Sequence, residues 1–363
     1  MASKASFVTL PCDELRPFMV ALLVAAGALE TNAEAAAEVH LDADLKGLGV
    51  QGVDYLPYTL RSLKRGLIDG RAEPEVVKQT AASALVDGKR GLGQPAAILA
   101  SDVAAALAAR EGSATVAICN STDIYMIGYY AERIARAGKI GIVMTSGPPL
   151  VRPHGGVDPM LSTNPIAFGI PRKTSDPLVF DMATSAIASS RVRQAAYDGT
   201  PLPEGSGIGP DGRPTTDAAL VRQGAISPLA GHKGFGLALC IGLMCGPLTG
   251  SGIGPELAGW QATGETRTQG HLVMAIDPAA FGDREEFAAR AERYIQTIKQ
   301  SRRAPGVNEI RIPGERSAAL RARQRSEGVQ VLLKSLQNLE PYAEDLAVPM
   351  PSRLAAALTT RAL

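Results

Sequence analysis

The chain has 363 residues, with 37 lysines and arginines against 36 acidic residues, 45% hydrophobic and only 4% aromatic side chains. That length exceeds what one core usually organises and predicts two lobes. The balanced charge and scarce aromatics argue against a nucleic-acid partner or an anionic membrane surface and favour a small-molecule partner. Cys12, Cys119, Cys240 and Cys245 form no C-x-x-C pair, so neither a disulfide framework nor a metal site is expected. Cys119 and Cys240 sit in apolar text and read as buried thiols. The apolar stretch 18–28 follows acidic and proline residues rather than a basic start, and no run reaches the ~18 apolar residues that span a bilayer. A cytoplasmic location is the expectation.

In chain order, residues 13–46 read as two helices, the second opened by a capping box from Thr31 to Glu34. A third helix is expected over 53–65, ending at Gly66, and β-rich segments over 75–87. Residues 102–110 read as helix, 114–119 as a buried strand, 128–137 as helix and 141–145 as strand, an alternation that suggests an α/β core. From 146 to 231, glycine, proline and small polar residues interrupt short apolar runs at 166–170 and 178–181, the texture of loops around a site. The uncharged stretch 234–248 predicts a buried helix, 272–276 a strand and 284–299 an amphipathic helix. The last forty residues are expected to pack peripherally or fray. Gly-Ser-Gly-Ile-Gly-Pro occurs at 205–210 and 250–255 and reads as duplicated loop text.

Gly47-x-Gly49-x-x-Gly52 has the spacing of a dinucleotide fingerprint, but a helix enters it where a strand is required, so it reads as a turn between helices. Gly231-His-Lys-Gly234 opens a helix whose free N–H groups suit an anion. Asp181-Met-Ala-Thr-Ser185 leaves a strand with a carboxylate and hydroxyls suited either to capping or to a ribose or amide.

Five segments occur in order: Ser162-Thr-Asn-Pro-Ile-Ala-Phe-Gly-Ile-Pro171, Phe180-Asp-Met-Ala-Thr-Ser185, Asp211-Gly-Arg-Pro-Thr-Thr-Asp217, Gly231-His-Lys-Gly-Phe-Gly-Leu-Ala-Leu239 and Pro313-Gly-Glu-Arg316. Together they resemble the malate/L-lactate dehydrogenase-like family of NAD(P)-dependent oxidoreductases, over about residues 10–316. The resemblance implies an α/β fold with a non-Rossmann nicotinamide-dinucleotide-binding core, a discontinuous helical second domain and a homodimer. The implied division is 1–75 and 286–330 for the second domain, 76–285 for the cofactor core and 331–363 for a peripheral tail. It implies NAD or NADP as cofactor, contacted by Ser146, Asp181, Met182, Ala183, His232, Lys233, Gly314, Glu315 and Arg316.

At the positions implied to be catalytic the chain departs from that pattern. Gln51 stands where the resemblance calls for an acid/base histidine, Tyr55 where it calls for a carboxylate-anchoring arginine, and Asp123 in place of a second histidine. Tyr125 replaces an expected glycine, and Lys46 an arginine. His40 and His271 read as structural, which leaves His154 as the histidine able to titrate in a site-like loop. Two chemistries stay open: reduction of a ketimine or cyclic imine, which brings its own proton, with an anionic Asp123 favouring the cation, or 2-oxo acid reduction with Asp123 or His154 as proton donor. A cofactor-binding or non-redox protein is the third reading.

Overall fold

A computed structural model describes residues 6–173, 176–257 and 268–359. β1 (Phe7–Leu10) leads into α1 (Cys12–Ala25), whose Leu15, Phe18, Met19, Leu22 and Leu23 repeat at the three-and-four spacing of one buried helix face. α2 (Glu30–Leu45) starts earlier than the sequence suggests. Leu29 is its N-cap without a side-chain bond, and Thr31 and Glu34 lie inside the helix, so the expected capping box does not form. The turn is pinned from outside instead: Leu29 N–H donates to the Gly70 carbonyl, and the Asn32 amide to those of Gly70 and Ala72. The third expected helix divides into a 3-10 turn, Val53–Tyr55, and α3 (Leu56–Lys64), with Pro57 in the first helical turn where no N–H is missed.

β2 (Glu75–Gln79) and β3 (Ser83–Asp87) form a hairpin. α4 (Gly93–Glu111) is about twice its expected length, because Pro95 sits in its first turn rather than in a loop. β4 (Ser113–Ser121), α5 (Gly128–Arg136), β5 (Ile140–Thr145), β6 (Ile166–Ile170) and β7 (Leu178–Met182) follow. The loop-like region then yields α6 (Ser189–Asp198), ended by left-handed Gly199. β8 (Gly207–Ile208), β9 (Pro214–Thr215), α7 (Ala218–Gln223) and β10 (Ala225–Ile226) make a small satellite sheet. The first Gly-Ser-Gly-Ile-Gly-Pro copy contributes to β8 and the second enters a 3-10 turn, so the duplication builds no structural repeat. α8 (His232–Cys245), β11 (Gln269–Ile276), α9 (Arg284–Gln300), α10 (Glu315–Glu327), β12 (Val329–Leu332), α11 (Leu333–Asp345) and α12 (Ser352–Thr359) complete the chain.

The main sheet has seven strands in the order β2-β3-β4-β11-β5-β6-β7, and only β3–β4 is a parallel pair. A doubly wound dinucleotide sheet is parallel throughout its core, so this mixed α/β sheet is of another kind. α4 and α5 cover one face, burying Val116, Ile118, Val143 and Val273. A second apolar cluster joins α1, α2 and α3 to β12 and α11 through Leu15, Leu22, Leu56, Val329, Leu336 and Leu339. Segments from both ends of the chain therefore share one core. The expectation that the last residues pack peripherally or fray is corrected here: β12 pairs with β1, and Leu336 and Leu339 are fully buried, each contributing about 1.5–3 kcal/mol. The expectation of a buried α8 is half right. Ala238, Ile241 and Cys245 are buried, but Leu237, Leu239, Leu243 and Cys240 are exposed, which also corrects the expected burial of the Cys240 thiol. No helix among the described residues is long and apolar enough to cross a membrane.

Candidate active site

Strand β7 is an edge, and what covers that edge makes a cavity. The end of α2, the start of α5, β7 and residues 311–321 enclose about 450 Å3, lined by Lys46, Asp181, Gly314 and Arg316 among others. That lies within the ~300–1,000 Å3 typical of ligand pockets. Gly314 lets the 313–316 turn lie against the strand: its φ is +89°, and a Cβ there would stand 2.9 Å from the Val179 carbonyl oxygen. Glu315 turns away, accepting from Lys299 Nζ (2.8 Å) and from Ile312 N–H (3.2 Å), so it braces the turn and does not line the cavity.

Lys46 is buried between Asp42 and Glu132, at 2.6 Å from each. Burial alone would raise the Glu132 pKa, but Lys46, Arg321 and Arg136 outweigh it and hold it at about 2. Asp181 shows the opposite balance. Burial raises its pKa to about 6, against the N–H of Gly128 (2.8 Å) and the charge of Lys46, which pull it down. Asp181 is nonetheless open to the cavity on one side. A carboxyl poised near neutrality in a cavity is a mark of a functional site.

Beyond Asp181, β7 passes Met182 and Ala183 to Thr184, which bonds the Thr163 and Asn164 carbonyls through its hydroxyl and accepts from Leu229 N–H at 2.9 Å. This ties the strand end to the turn entering α8. Gly234 is needed there, since a Cβ would run into the carbonyl oxygens of Leu229 and Thr184. His232 and Lys233 stand exposed in the first turn of α8, where N–H groups are free. The His154 ring meets His232 edge-on at 6.0 Å, so His154 belongs to the α8 end of the site. Ser146, just past β5, is buried with its hydroxyl unpartnered.

The positions where the chain departs from its expected pattern gather in a third place. Tyr55 packs edge-on against Tyr125 at 5.0 Å. Tyr125 Oη and Thr59 Oγ1 share a hydrogen bond of 2.8 Å, and the His40 ring meets the Tyr125 ring at a tilt, centroids 4.7 Å apart. His40 Nδ1 lies 2.8 Å from the Gln51 carbonyl oxygen. Burial drives the His40 pKa down to about 4 despite that carbonyl, so the ring is neutral at neutral pH. Tyr125 has φ +58°, a left-handed backbone that favours glycine and costs a bulky residue about 1–3 kcal/mol. Asp123 is half-buried two residues earlier, its carbonyl against Gly93 at the start of α4. Met126 and Gly128, just after Tyr125, line the β7 cavity, so the two places share one turn.

The model of the malate/L-lactate dehydrogenase family matches residues 10–340. The chain belongs to this family. Among relatives, it is 35% identical to a (2R)-3-sulfolactate dehydrogenase (NADP(+)) of Chromohalobacter salexigens, across 91% of this chain and 96% of that one. It is 34% identical to a Delta(1)-pyrroline-2-carboxylate/Delta(1)-piperideine-2-carboxylate reductase of Pseudomonas putida, across 93% and 98%. A solved malate dehydrogenase of Entamoeba histolytica superposes with a TM-score of 0.91 at 25% identity, covering 95% of this chain and all of that one.

Within this dehydrogenase-family chain the structure sorts the expected residues into three groups. Lys46, Asp181, Gly314 and Arg316 meet at the cavity; His154, His232 and Lys233 meet at the start of α8; Gln51 and Tyr55 meet at the tyrosine cluster. His271 is buried between Thr145 Oγ1 (2.6 Å) and the Thr122 carbonyl (3.0 Å), in keeping with a structural reading. Three participants escaped sequence reasoning. The sequence reads His40 only as structural, yet it contacts Tyr125 and Gln51. Tyr58 and Arg193 also join the cluster, Arg193 from the unexpected α6, with its guanidinium 5.4 Å from the Tyr55 ring centre. The available signal was Tyr55-x-x-Tyr58, which puts two rings on one helical face.

Proposed function

We propose that this chain is an NAD(P)-dependent oxidoreductase that moves a hydride between nicotinamide and a small carboxylated C=N or C=O substrate, with the C=N reading favoured. The observation that carries this choice is the neutral, buried His40. It is the imidazole in contact with the Gln51–Tyr125 cluster, and with burial drawing its pKa down to about 4 it is not an imidazolium at neutral pH, while its Nδ1 is committed to the Gln51 carbonyl. A 2-oxo acid needs a proton for the developing alkoxide, whereas an iminium already carries its own. Asp123 acts electrostatically in this reading, its carboxylate attracting the cation.

The residues fit a dinucleotide. Gly314 lets the 313–316 turn close the cavity wall against β7, the first turn of α8 offers N–H groups with Lys233 to an anion, and the orphaned Ser146 hydroxyl offers a buried polar partner. Asp181 to Ala183, Gly314 and Arg316 hold one end of the cofactor and His232 with Lys233 the other. When bound, the nicotinamide supplies or accepts the hydride. Lys46 holds the wall of the cavity by neutralising Asp42 and Glu132.

The protein works as a cytoplasmic homodimer in this reading. Leu237, Leu239 and Leu243 leave α8, a helix with Lys233 as its only charged residue, with an exposed apolar face that a second copy would cover. Light scattering then gives about twice 37.8 kDa, and a monomer mass at micromolar concentration refutes the dimer. The central experiment titrates the protein with NADH and NADPH, then measures reduction of pyruvate, pyruvate with methylamine, and a cyclic imine carboxylate across pH 5 to 9. Amine-dependent turnover is expected. Efficient reduction of amine-free pyruvate, lost in Asp123→Asn, overturns the C=N reading, and failure to bind either nucleotide overturns the redox function.

A further inference from the structure

The relatives named above act on sulfolactate and on imine carboxylates, all anions, and an enzyme for such substrates needs a fixed cation beside the reacting carbon. Lys46 is fully engaged by two buried carboxylates, and no cation is contributed by Gln51 or Tyr55. We propose that Arg193, backed by Arg61, is the anion anchor that selects a carboxylated substrate at the tyrosine cluster. The inference rests on the reductase reading and deepens it by naming a specificity-determining residue.

The geometry is that of a prepared guanidinium. Arg193 lies 5.4 Å from the Tyr55 ring centre and 5.7 Å from that of Tyr58, a distance at which ring faces attract cations. Its Nη2 donates to Asp54 Oδ2 at 2.7 Å, and the other Asp54 oxygen accepts from Ser335 Oγ at 2.9 Å. The planar fork is thereby held by two rings and one carboxylate, so little freedom remains to be lost when a ligand binds. Among the described residues no acceptor meets Nε or Nη1, and the side chain keeps 29% of its surface open. The Arg61 guanidinium also lies over the Tyr58 ring, 5.3 Å from its centre. Arg193 and Arg61 bring two guanidiniums to the same rings, and N–H donors in a fork match a carboxylate or sulfonate.

The strain at Tyr125 belongs to the same arrangement. A left-handed tyrosine persists only where its surroundings over-determine it, and Thr59, His40 and Tyr55 do so. That constraint places Tyr125 against Tyr55, and Tyr55 against the guanidinium, so the rings form a continuous wall from Gln51 to Arg193.

The test compares the wild-type protein with Arg193→Met, Arg193→Lys and Arg61→Met, using the imine formed from pyruvate and methylamine and that formed from pyruvamide, its uncharged counterpart. Nucleotide binding is measured first, by fluorescence. Arg193→Met is expected to raise KM for the carboxylated imine about 10–100-fold, with kcat and nucleotide affinity within about threefold. Arg193→Lys is expected to recover part of the loss, Arg61→Met to show a smaller rise of about threefold, and the pyruvamide imine to be indifferent to all three. If KM for the two imines rises in parallel, or if only the melting temperature falls, Arg193 is a strap between α6 and Asp54 and the proposal is overturned. Should Arg193→Met not fold, the contrast between the two imines in Arg193→Lys decides: no selective rise for the carboxylate sinks it. Loss of nucleotide binding by wild type would instead refute the redox reading itself.

Discussion

The cavity at β7 and the tyrosine cluster share the turn at 125–128, yet they are built from different physics. The cavity is held by backbone and buried charge: Gly314 against the strand, Lys46 between two carboxylates, and the Gly128 N–H on Asp181. The cluster is held by ring contacts, a hydroxyl pair and one left-handed tyrosine. The first kind of site tolerates few residue types at each position, because a Cβ or a missing charge breaks it outright. The second can be rebuilt from many side chains of suitable shape. In the reading proposed above, the cofactor lies at the first and the substrate at the second.

The contrast breaks most sharply at Lys46. Replacing it by methionine leaves Asp42 and Glu132 buried without their central cation, and removing one member of such a network costs about 3–5 kcal/mol. Urea unfolding should show that loss, and a change below about 1 kcal/mol would mean that Arg321 and Arg136 suffice.

Acid should separate the two places in sequence. His40 has a folded pKa near 4 against 6.5 when free, so the unfolded chain binds the extra proton and stability falls as pH drops from about 6.5 to 4. His271, also held near 4, adds to that window from the sheet. Glu132 is depressed to about 2 from 4.5, so its contribution is intact above 4.5 and is lost as pH falls toward 2. Melting temperatures across pH 2 to 7 should show the upper slope reduced in His40→Gln and the lower one in Glu132→Gln. Identical profiles for both variants would contradict this separation.

Lys233→Ala should weaken NADPH or NADH binding about tenfold, read by fluorescence titration, with the KM for the imine unaffected at saturating nucleotide. An unchanged dissociation constant would remove the start of α8 from the cofactor site. The smallest effect is expected at Tyr125→Phe, which leaves the buried Thr59 hydroxyl without its partner for about 1 kcal/mol, measured as a shift in the unfolding midpoint.

This division also explains what the sequence revealed. Asp181, Gly314, Arg316 and Lys233 stand in ordered motifs, because backbone approach and fixed charge restrict the residue at each position. The tyrosine cluster showed itself only as departures: Gln51, Tyr55 and Tyr125 in place of other residues, with no statement of what replaced them. His40 and Arg193 come from distant elements, and nothing local marks them as neighbours of Tyr125 and Tyr55. Among the elements, the core strands β4, β5, β6, β7 and β11 and the helices α1, α2, α5, α8 and α9 were legible, whereas α4 was legible over only about half its length and β1 and β12 were not expected. α6 was missed because its polar text carries only one buried residue, Val192, and the tail was misread because its burial depends on α1 and β1, more than three hundred residues away.

That last pairing sets an order of events during synthesis. β1 finds its partner at residues 329–332, and Leu15 and Leu22 complete their core against Leu336 and Leu339. On the ribosome, α1 can pack on α2 and α3 early, but the part of its core closed by residues 329–339 stays open until those residues are made. The sheet between β2 and β11 can assemble meanwhile, but the first helices wait for the last ones, a closure of high sequence separation that is slow to form. A nascent chain stopped before residue 329 therefore still exposes the apolar surface that β12 and α11 cover.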